Sequence, residues 1–488
     1  MPASLGAYRF FYFGKEFLVK NKMKKRLIFG LSIIPLLAYL TSFSKDTFIF
    51  ILALNISLWL LFTSLLAVAL FNLAKIIPRS KRPASRMPIF VVIIFIAVVC
   101  SLVIFRQGVH NSIQLSPYES LKSLPYLTWS PAKAGDIQKA GVTRYNRNLS
   151  YTGVNIYNSR NLSTAYLMDM SGGILHEWSH KIDKTDSWQD IKLCENGDLL
   201  AIVKDKMLIC LDWDSNIKWI KRMRFHHDVA VAKDKRIWAL AWKDEVVFVY
   251  GLPLPILNEY IVVLSADGEV EKELSLFKIL KGEIAFGSII SIYRNMVKPD
   301  FIRLVLMRKM SGRPILDEDA YYFDVFHNNT VEIINRDIAG LCKDGDILIS
   351  PRNLDLIGIV DVKREKLIWS WGKNNLSRQH HPALLDNQNI LVFDNGVGRG
   401  YSRLVEINPY ENKIVWEYKT NPPRKLYSAG SSSGQRLPNG NSLITDSDAG
   451  YAFEITQEGE VVWEFYNPQV RKGSNLRAVI ASMERIPA

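Results

Sequence analysis

One phrase recurs five times after residue 190 and leaves few folds open to the chain. It reads Leu-Cys-Glu-Asn-Gly-Asp-Leu-Leu (193–200), Ala-Lys-Asp-Lys-Arg-Ile-Trp-Ala-Leu (232–240), Leu-Cys-Lys-Asp-Gly-Asp-Ile-Leu-Ile (341–349), Leu-Asp-Asn-Gln-Asn-Ile-Leu-Val (385–392) and Leu-Pro-Asn-Gly-Asn-Ser-Leu-Ile (437–444). Asn-Gly and Asp-Gly between β-rich runs mark tight hairpins. Most copies are followed by a strand that closes on a tryptophan equivalent to Trp178, namely Trp219, Trp369, Trp416 or Trp463. A unit of several strands repeating every ~40–50 residues is the signature of a β-propeller blade, and about six such units fit into residues 141–488. The tryptophans are expected to fill the wedges between radially arranged sheets. The second and third copies lie too far apart for one blade, and the Pro-rich and helical-looking sequence between them predicts an insertion at about 244–318.

The first 110 residues belong to another physical class. Residues 27–43, 47–70 and 89–105 are apolar runs, of lengths that reach or approach the ~20 residues needed to cross a bilayer. They predict three transmembrane helices (27–106) after a basic N-terminus (1–26), with a polar linker (107–140) leading to the propeller. The formal charge of +13 suggests nucleic-acid binding until it is divided. Residues 1–110 hold 14 Lys and Arg against 2 acidic residues, so the remainder carries only +1. The excess flanks the apolar runs: Arg9 to Arg26 precede the first, and Lys75, Arg79, Lys81, Arg82 and Arg86 separate the second from the third. By the positive-inside rule these segments are cytoplasmic and everything after residue 106 is extracytoplasmic. The expected location is the bacterial inner membrane, multi-pass, with the C-terminal domain in the periplasm or outside the cell and no nucleic-acid partner.

Chemistry is concentrated in histidines. Five of the eight fall into three clusters, Phe225-His226-His227-Asp228, His327-Asn328-Asn329 and Gln379-His380-His381-Pro382. His110, His176 and His180 read as ordinary hydrogen-bonded turn or core residues. Each cluster stands ahead of an apolar strand of the repeat, and equivalent points of successive blades line one end of a propeller's channel. Ser350-Pro351-Arg352 closes one repeat strand, and Ser431-Ser432-Ser433 precedes the last copy as the histidines precede earlier ones. Gathered imidazoles can hold a metal, handle protons or act as nucleophiles. Against a metal, Asp228 is the only carboxylate in the clusters and Arg352 would repel a cation. The four cysteines lack metal-ligand spacing, and Cys194 and Cys210 are placed so that a bridge within one blade is an open alternative to two buried thiols.

The order His-His-Asp, His-x-Asn, Ser-x-Arg, Gln-His, then Phe393-Asp394-Asn395-Gly396 and a Ser-rich turn before Pro-Asn-Gly-Asn resembles the arylsulfate sulfotransferases, a family of six-bladed propellers. The likeness spans about 150–488 and is closest over 324–465. It implies nucleotide-independent transfer of a sulfuryl group from an aryl sulfate to an acceptor hydroxyl through a sulfated histidine, without a cofactor or metal. By matching motifs, His380 is the nucleophile, and His327, Asn329 and Arg352 hold the sulfuryl group. The His226–His227 pair supplies one more imidazole, with His227 favoured. His381 is ambiguous beside His380, Ser431 and Ser432 are further candidate hydrogen-bond donors, and Arg399 and Arg403 are candidates for an anion-attracting rim. The expected partners are a small sulfate-ester donor and a phenolic or glycan acceptor. The rival readings are a noncatalytic propeller that binds an anionic glycan or envelope partner, and a metal site made by His227, His327 and His380.

Overall fold

The computed structural model describes residues 128–487 apart from 134, 185, 297, 313–314 and 317–322. The basic N-terminus, the three apolar runs and most of the linker lie outside the described residues. Among the described residues no helix is long and apolar enough to cross a membrane.

The larger of two compact units contains six antiparallel sheets arranged as the blades of a propeller. Blades 2 to 5 are formed by consecutive strands: Trp188–Leu193 to Ile217–Lys221, Phe225–Val231 to Val270–Ser275, Asn328–Ile333 to Lys366–Trp371, and His380–Leu384 to Lys413–Tyr418. Blade 1 takes its first strand, Ile480–Pro487, from the C-terminus and pairs it with Gly153–Ser159. Blade 6 runs from Ser433–Arg436 to Val461–Tyr466 and gains Gly141–Tyr145 as a fifth, outer strand. The ring is therefore closed at both chain ends. The first strands of the six blades touch one another in an unbroken circle around the channel.

The repeated phrase is the turn between the first and second strands. Its hydrogen bonds recur from blade to blade: Cys194 N to Asp198 O, Ala232 N to Arg236 O, Leu385 N to Asn389 O and Leu437 N to Asn441 O. Second strands such as Leu199–Val203 are buried throughout, because a neighbouring blade covers each face, and so their sequences are continuously apolar. Outer strands such as Lys366–Trp371 are half-buried and alternate. The apolar core is correspondingly a set of wedges; one joins Trp178 of blade 1 to Trp188, Leu199 and Ile209 of blade 2. The outer-strand tryptophans cross these wedges. Trp219 Nε1 donates to Ala266 O, Trp369 to Pro409 O, Trp416 to Gln457 O and Trp463 to Met170 O, each in the next blade. Each bond contributes about 1 kcal/mol to blade cohesion. Gly268, at φ +79°, lies under the Trp219 ring, and a Cβ there would come within 2.7 Å of it.

One open alternative closes and one expectation is refined. Cys194 and Cys210 are free thiols. The insertion is split: residues 257–285 belong to the propeller unit, whereas Asp244–Ile256 and Phe286–Asp317 belong to the smaller unit, to which Met1–Ser116 is also assigned. The cause is the length of the second and third strands of blade 3, Ile237–Val249 and Leu252–Leu264, which outrun the blade before they turn at Tyr250-Gly251. The smaller unit also holds two helices, Phe286–Met296 and Pro299–Met310. The expected linker is tied down from Trp129, which begins a strand paired with Leu476–Ala478.

Candidate functional site

The histidine clusters coincide with irregularities in the first strands of blades 3, 4 and 5. Pairing with the second strand shifts between His226 and Val229, between Asn328 and Val331, and between His380 and Ala383. A bulge leaves extra residues on one strand and re-aims their side chains. His227, His327 and His381 take left-handed backbone conformations, at φ 54°, 48° and 45°, which cost an L-residue about 1 kcal/mol or more each. Each doubled histidine is divided by this irregularity. His226 and His380 stay in the ladder, opposite Leu240 and Phe393, while His227 and His381 fall in the bulge.

His380 is the most constrained member. Its Nδ1 lies 2.8 Å from Asn395 Oδ1 and 3.0 Å from Arg378 O. Both are acceptors, so Nδ1 carries the proton and the lone pair resides on Nε2. The Asn395 amide is itself oriented, because its Nδ2 donates to Ser428 O and Ser431 O at 2.7 Å each. His380 Nε2 is buried and makes no hydrogen bond. Burial, then the Arg352 guanidinium, hold this imidazole well below its ordinary pKa. Arg352 follows the second strand of blade 4, and its backbone N donates to His327 O at 3.1 Å, which ties the two residues together.

His327 is bonded through Nδ1 to Asp324, whose other carboxylate oxygen accepts the His327 backbone N–H at 2.9 Å. Burial lowers the His327 pKa while Asp324 opposes it. The His227 ring meets the His327 ring edge-on, with centroids 4.7 Å apart. Behind it, His226 Nδ1 lies 2.7 Å from His227 Nδ1, and the His226 ring stacks on Trp242 at 4.0 Å. Burial and then His327 depress the pKa of both His226 and His227. Trp242 Nε1 donates to Glu259, which also accepts the backbone N–H of Asn328. Burial and the nearby Asp324 raise the Glu259 carboxyl well above its usual range.

His227, His327, His380 and Arg352 thus come together, with Asp324 rather than Asp228 as the carboxylate on an imidazole. The other candidates take different positions. His226 stands behind His227. His381 lies on the channel wall with Asp190, Asp228 and Thr330, and its backbone N donates to Thr330 Oγ1. Asn329 donates through Nδ2 to Gln379 O at 2.8 Å, steadying the backbone before His380. The Ser431 hydroxyl is buried without a partner, whereas the Ser432 hydroxyl accepts from Ser447 N in a turn. Arg399 and Arg403, candidates for an anion-attracting rim or a solvated loop, both ion-pair with buried Asp394. Sequence reasoning overlooked Asp324 and Asn395 as site residues. One stands three residues before His327, and the other sits in the Phe393–Gly396 phrase, which served only as a signature. Among the described residues no three His, Cys, Asp or Glu side chains are grouped as metal ligands.

Among solved structures, the chain is similar to a protein of unknown function from Bacteroides caccae, at 13% identity and a TM-score of 0.44 over 69% of this chain and 99% of the other. It is also similar to a streptogramin B lyase, at 11% and 0.38 over 74% and 98%. A third is virginiamycin B lyase from Staphylococcus aureus, at 13% and 0.33 over 61% and 83%. Likenesses this slight carry no chemistry across. No curated protein matches the chain. Residues 196–468, more than half of its length, match the family model described as Arylsulfotransferase (ASST), and the chain belongs to the arylsulfotransferase family.

Proposed function

We propose that this protein moves a sulfuryl group from an aryl sulfate, or a similar sulfate ester, to an acceptor hydroxyl through a sulfated His380. The observation that carries this reading is the state of His380. It is an imidazole with Nδ1 locked as donor and with a buried, unpartnered Nε2 beside a guanidinium. In the first half-reaction Nε2 attacks sulfur; the N–S bond forms and the S–O bond to the aryl group breaks. The leaving phenolate takes a proton from His327; burial lowers this imidazole's pKa, and Asp324 together with the incoming anionic donor favours its protonated form. In the second half the acceptor hydroxyl attacks sulfur and returns a proton to His327, while the N–S electron pair goes back to Nε2. Two easier steps thereby replace one difficult transfer.

Arg352 offers a permanent charge and forked N–H groups to the sulfuryl oxygens, where charge accumulates as the bonds exchange. His227 and the second amide N–H of Asn329 are the further donors. Asn395 acts through His380 by holding the tautomer that exposes the Nε2 lone pair. Burial, and then the same guanidinium that binds the anion, keep the nucleophile unprotonated. The distribution of basic residues around the three apolar runs supports a membrane-anchored enzyme whose propeller faces away from the cytoplasm.

Incubating the full chain with an aryl sulfate and no acceptor tests the proposal. The expected result is a burst of donor phenol that approaches one per chain, followed by parallel-line kinetics when a phenol acceptor is added. Anion binding without any burst or turnover would instead establish the noncatalytic, glycan-binding alternative.

A further inference from the structure

The described segments of the smaller unit, Asp244–Ile256 and Phe286–Asp317, expose apolar surface out of proportion to their length. Eight of the 18 large hydrophobic side chains that remain exposed among the described residues lie in them. The tip of the long hairpin presents Phe248 and Tyr250, the latter 72% exposed. On the helix Phe286–Met296, Ile289, Ile292 and Met296 are buried, yet Phe286 and Ile290 stand one turn apart on the open side. The helix Pro299–Met310 leaves Met307 exposed and Met310 88% exposed. A helix that is apolar on its outward side as well as its inward side needs a second apolar environment.

Charge identifies that environment. Across residues 286–312 the sequence has five cations against one acid, Asp300; Arg294, Lys298 and Lys309 are exposed and Arg308 is buried, while the hairpin segment 244–256 adds Asp244 and Glu245. Exposed aromatic and aliphatic side chains among cations are the mark of elements that lie in a bilayer interface, and anionic headgroups add about 1 kcal/mol per cation near the surface. The third apolar run ends at residue 105, and the described structure starts at 128. The connecting segment spans at most about 80 Å when extended, so a bilayer crossed by that run holds this surface at high local concentration.

The geometry points to a lipid bilayer surface with anionic headgroups as the occupant of this apolar face, which makes the split insertion a membrane-seating element. The inference rests on reading the N-terminal runs as membrane spans. Its test uses the full chain reconstituted in phosphatidylcholine vesicles containing phosphatidylglycerol. Spin labels are placed singly at Tyr250→Cys, Ile290→Cys and Met310→Cys, with Val415→Cys on the propeller rim as the aqueous control and the unsubstituted, label-treated chain as the blank. Accessibility to oxygen and to a water-soluble nickel chelate is then compared.

The expected result is a several-fold higher oxygen-to-nickel ratio at the three insertion sites than at Val415, with a smaller difference when phosphatidylglycerol is omitted. Ratios equal to the control would overturn the inference. Shielding from both reagents would also overturn it, because it would mean that protein covers the face, either the chain's own apolar runs or a second copy. Alkaline extraction of the same vesicles separates the two readings: a chain that stays in the membrane with aqueous labels contradicts the seating element alone, and a chain that is extracted contradicts the spans.

Discussion

His380 and His381 are neighbours in sequence and face opposite electrostatic worlds. On the His380 side are the Arg352 guanidinium, the His380 and His227 imidazoles, which burial holds well below their ordinary pKa, and His327, where Asp324 opposes burial. On the His381 side is the channel wall, with Asp190, Asp228 and Glu332. Burial pushes Asp190 and Glu332 up to about 7 and raises Asp228 as well. A two-residue bulge separates the cluster around Arg352 from a carboxylate-lined channel of about 1270 Å³. Residue type therefore says little about role here; position in the ladder decides it.

Substitution within the doublet strains that contrast hardest. His380→Ala should lower aryl sulfate turnover at least about a thousandfold, whereas His381→Asn should stay within about tenfold; similar losses in both would erase the distinction. Next in size is Arg352→Gln, with an expected loss of about 10²–10³ in kcat. It also carries a sign. The guanidinium depresses the His380 pKa, so its removal should move the acid limb of kcat/KM upward toward pH 6.5, and an unmoved limb would separate Arg352 from the nucleophile.

His327→Asn should cost about 10²-fold with donors whose phenols have high pKa values and distinctly less with nitrophenyl sulfate, which leaves without a proton. Equal losses would remove His327 from proton transfer. Asn395→Ala should cost about tenfold by releasing the imidazole tautomer, and Asn395→Asp, which keeps an acceptor toward Nδ1, should recover part of it. The smallest effect on turnover belongs to the channel. Asp190 has a raised carboxyl pKa, so the stability it contributes is present below the unfolded value near 3.8 and is lost as pH rises through about 7. Asp190→Asn should therefore raise Tm more at pH 8 than at pH 6, with little change in activity.

The architecture was largely legible because the turn phrase and the buried second strands obey rules of local geometry. The Asn-Gly turns at 193–200 and 437–444 and the Asp-Gly turn at 341–349 lie between first and second strands as the hairpin signal requires. The site was legible only in outline. A bulge leaves no mark in residue type, so His-His doublets could be located but not resolved, and Ser432 could not be told from Ser431 until its hydroxyl was seen bonded to Ser447 N. The Asp324–His327 pair depends on a backbone turn that brings residues three apart into contact. Asp394 holds Arg399 and Arg403 through pairing that spacing does not reveal. In blade 3, hairpin length rather than composition disguised where the propeller resumes.

The most direct measurement is to quench the full chain shortly after mixing it with an aryl sulfate and to map the sulfuryl group by mass spectrometry under conditions that preserve phosphoramidate-like N–S bonds. A sulfated His380, absent in His380→Ala and discharged by added phenol, is the predicted result. Sulfation at His227, His327 or His381, or sustained turnover with no sulfated histidine at any time, would contradict it.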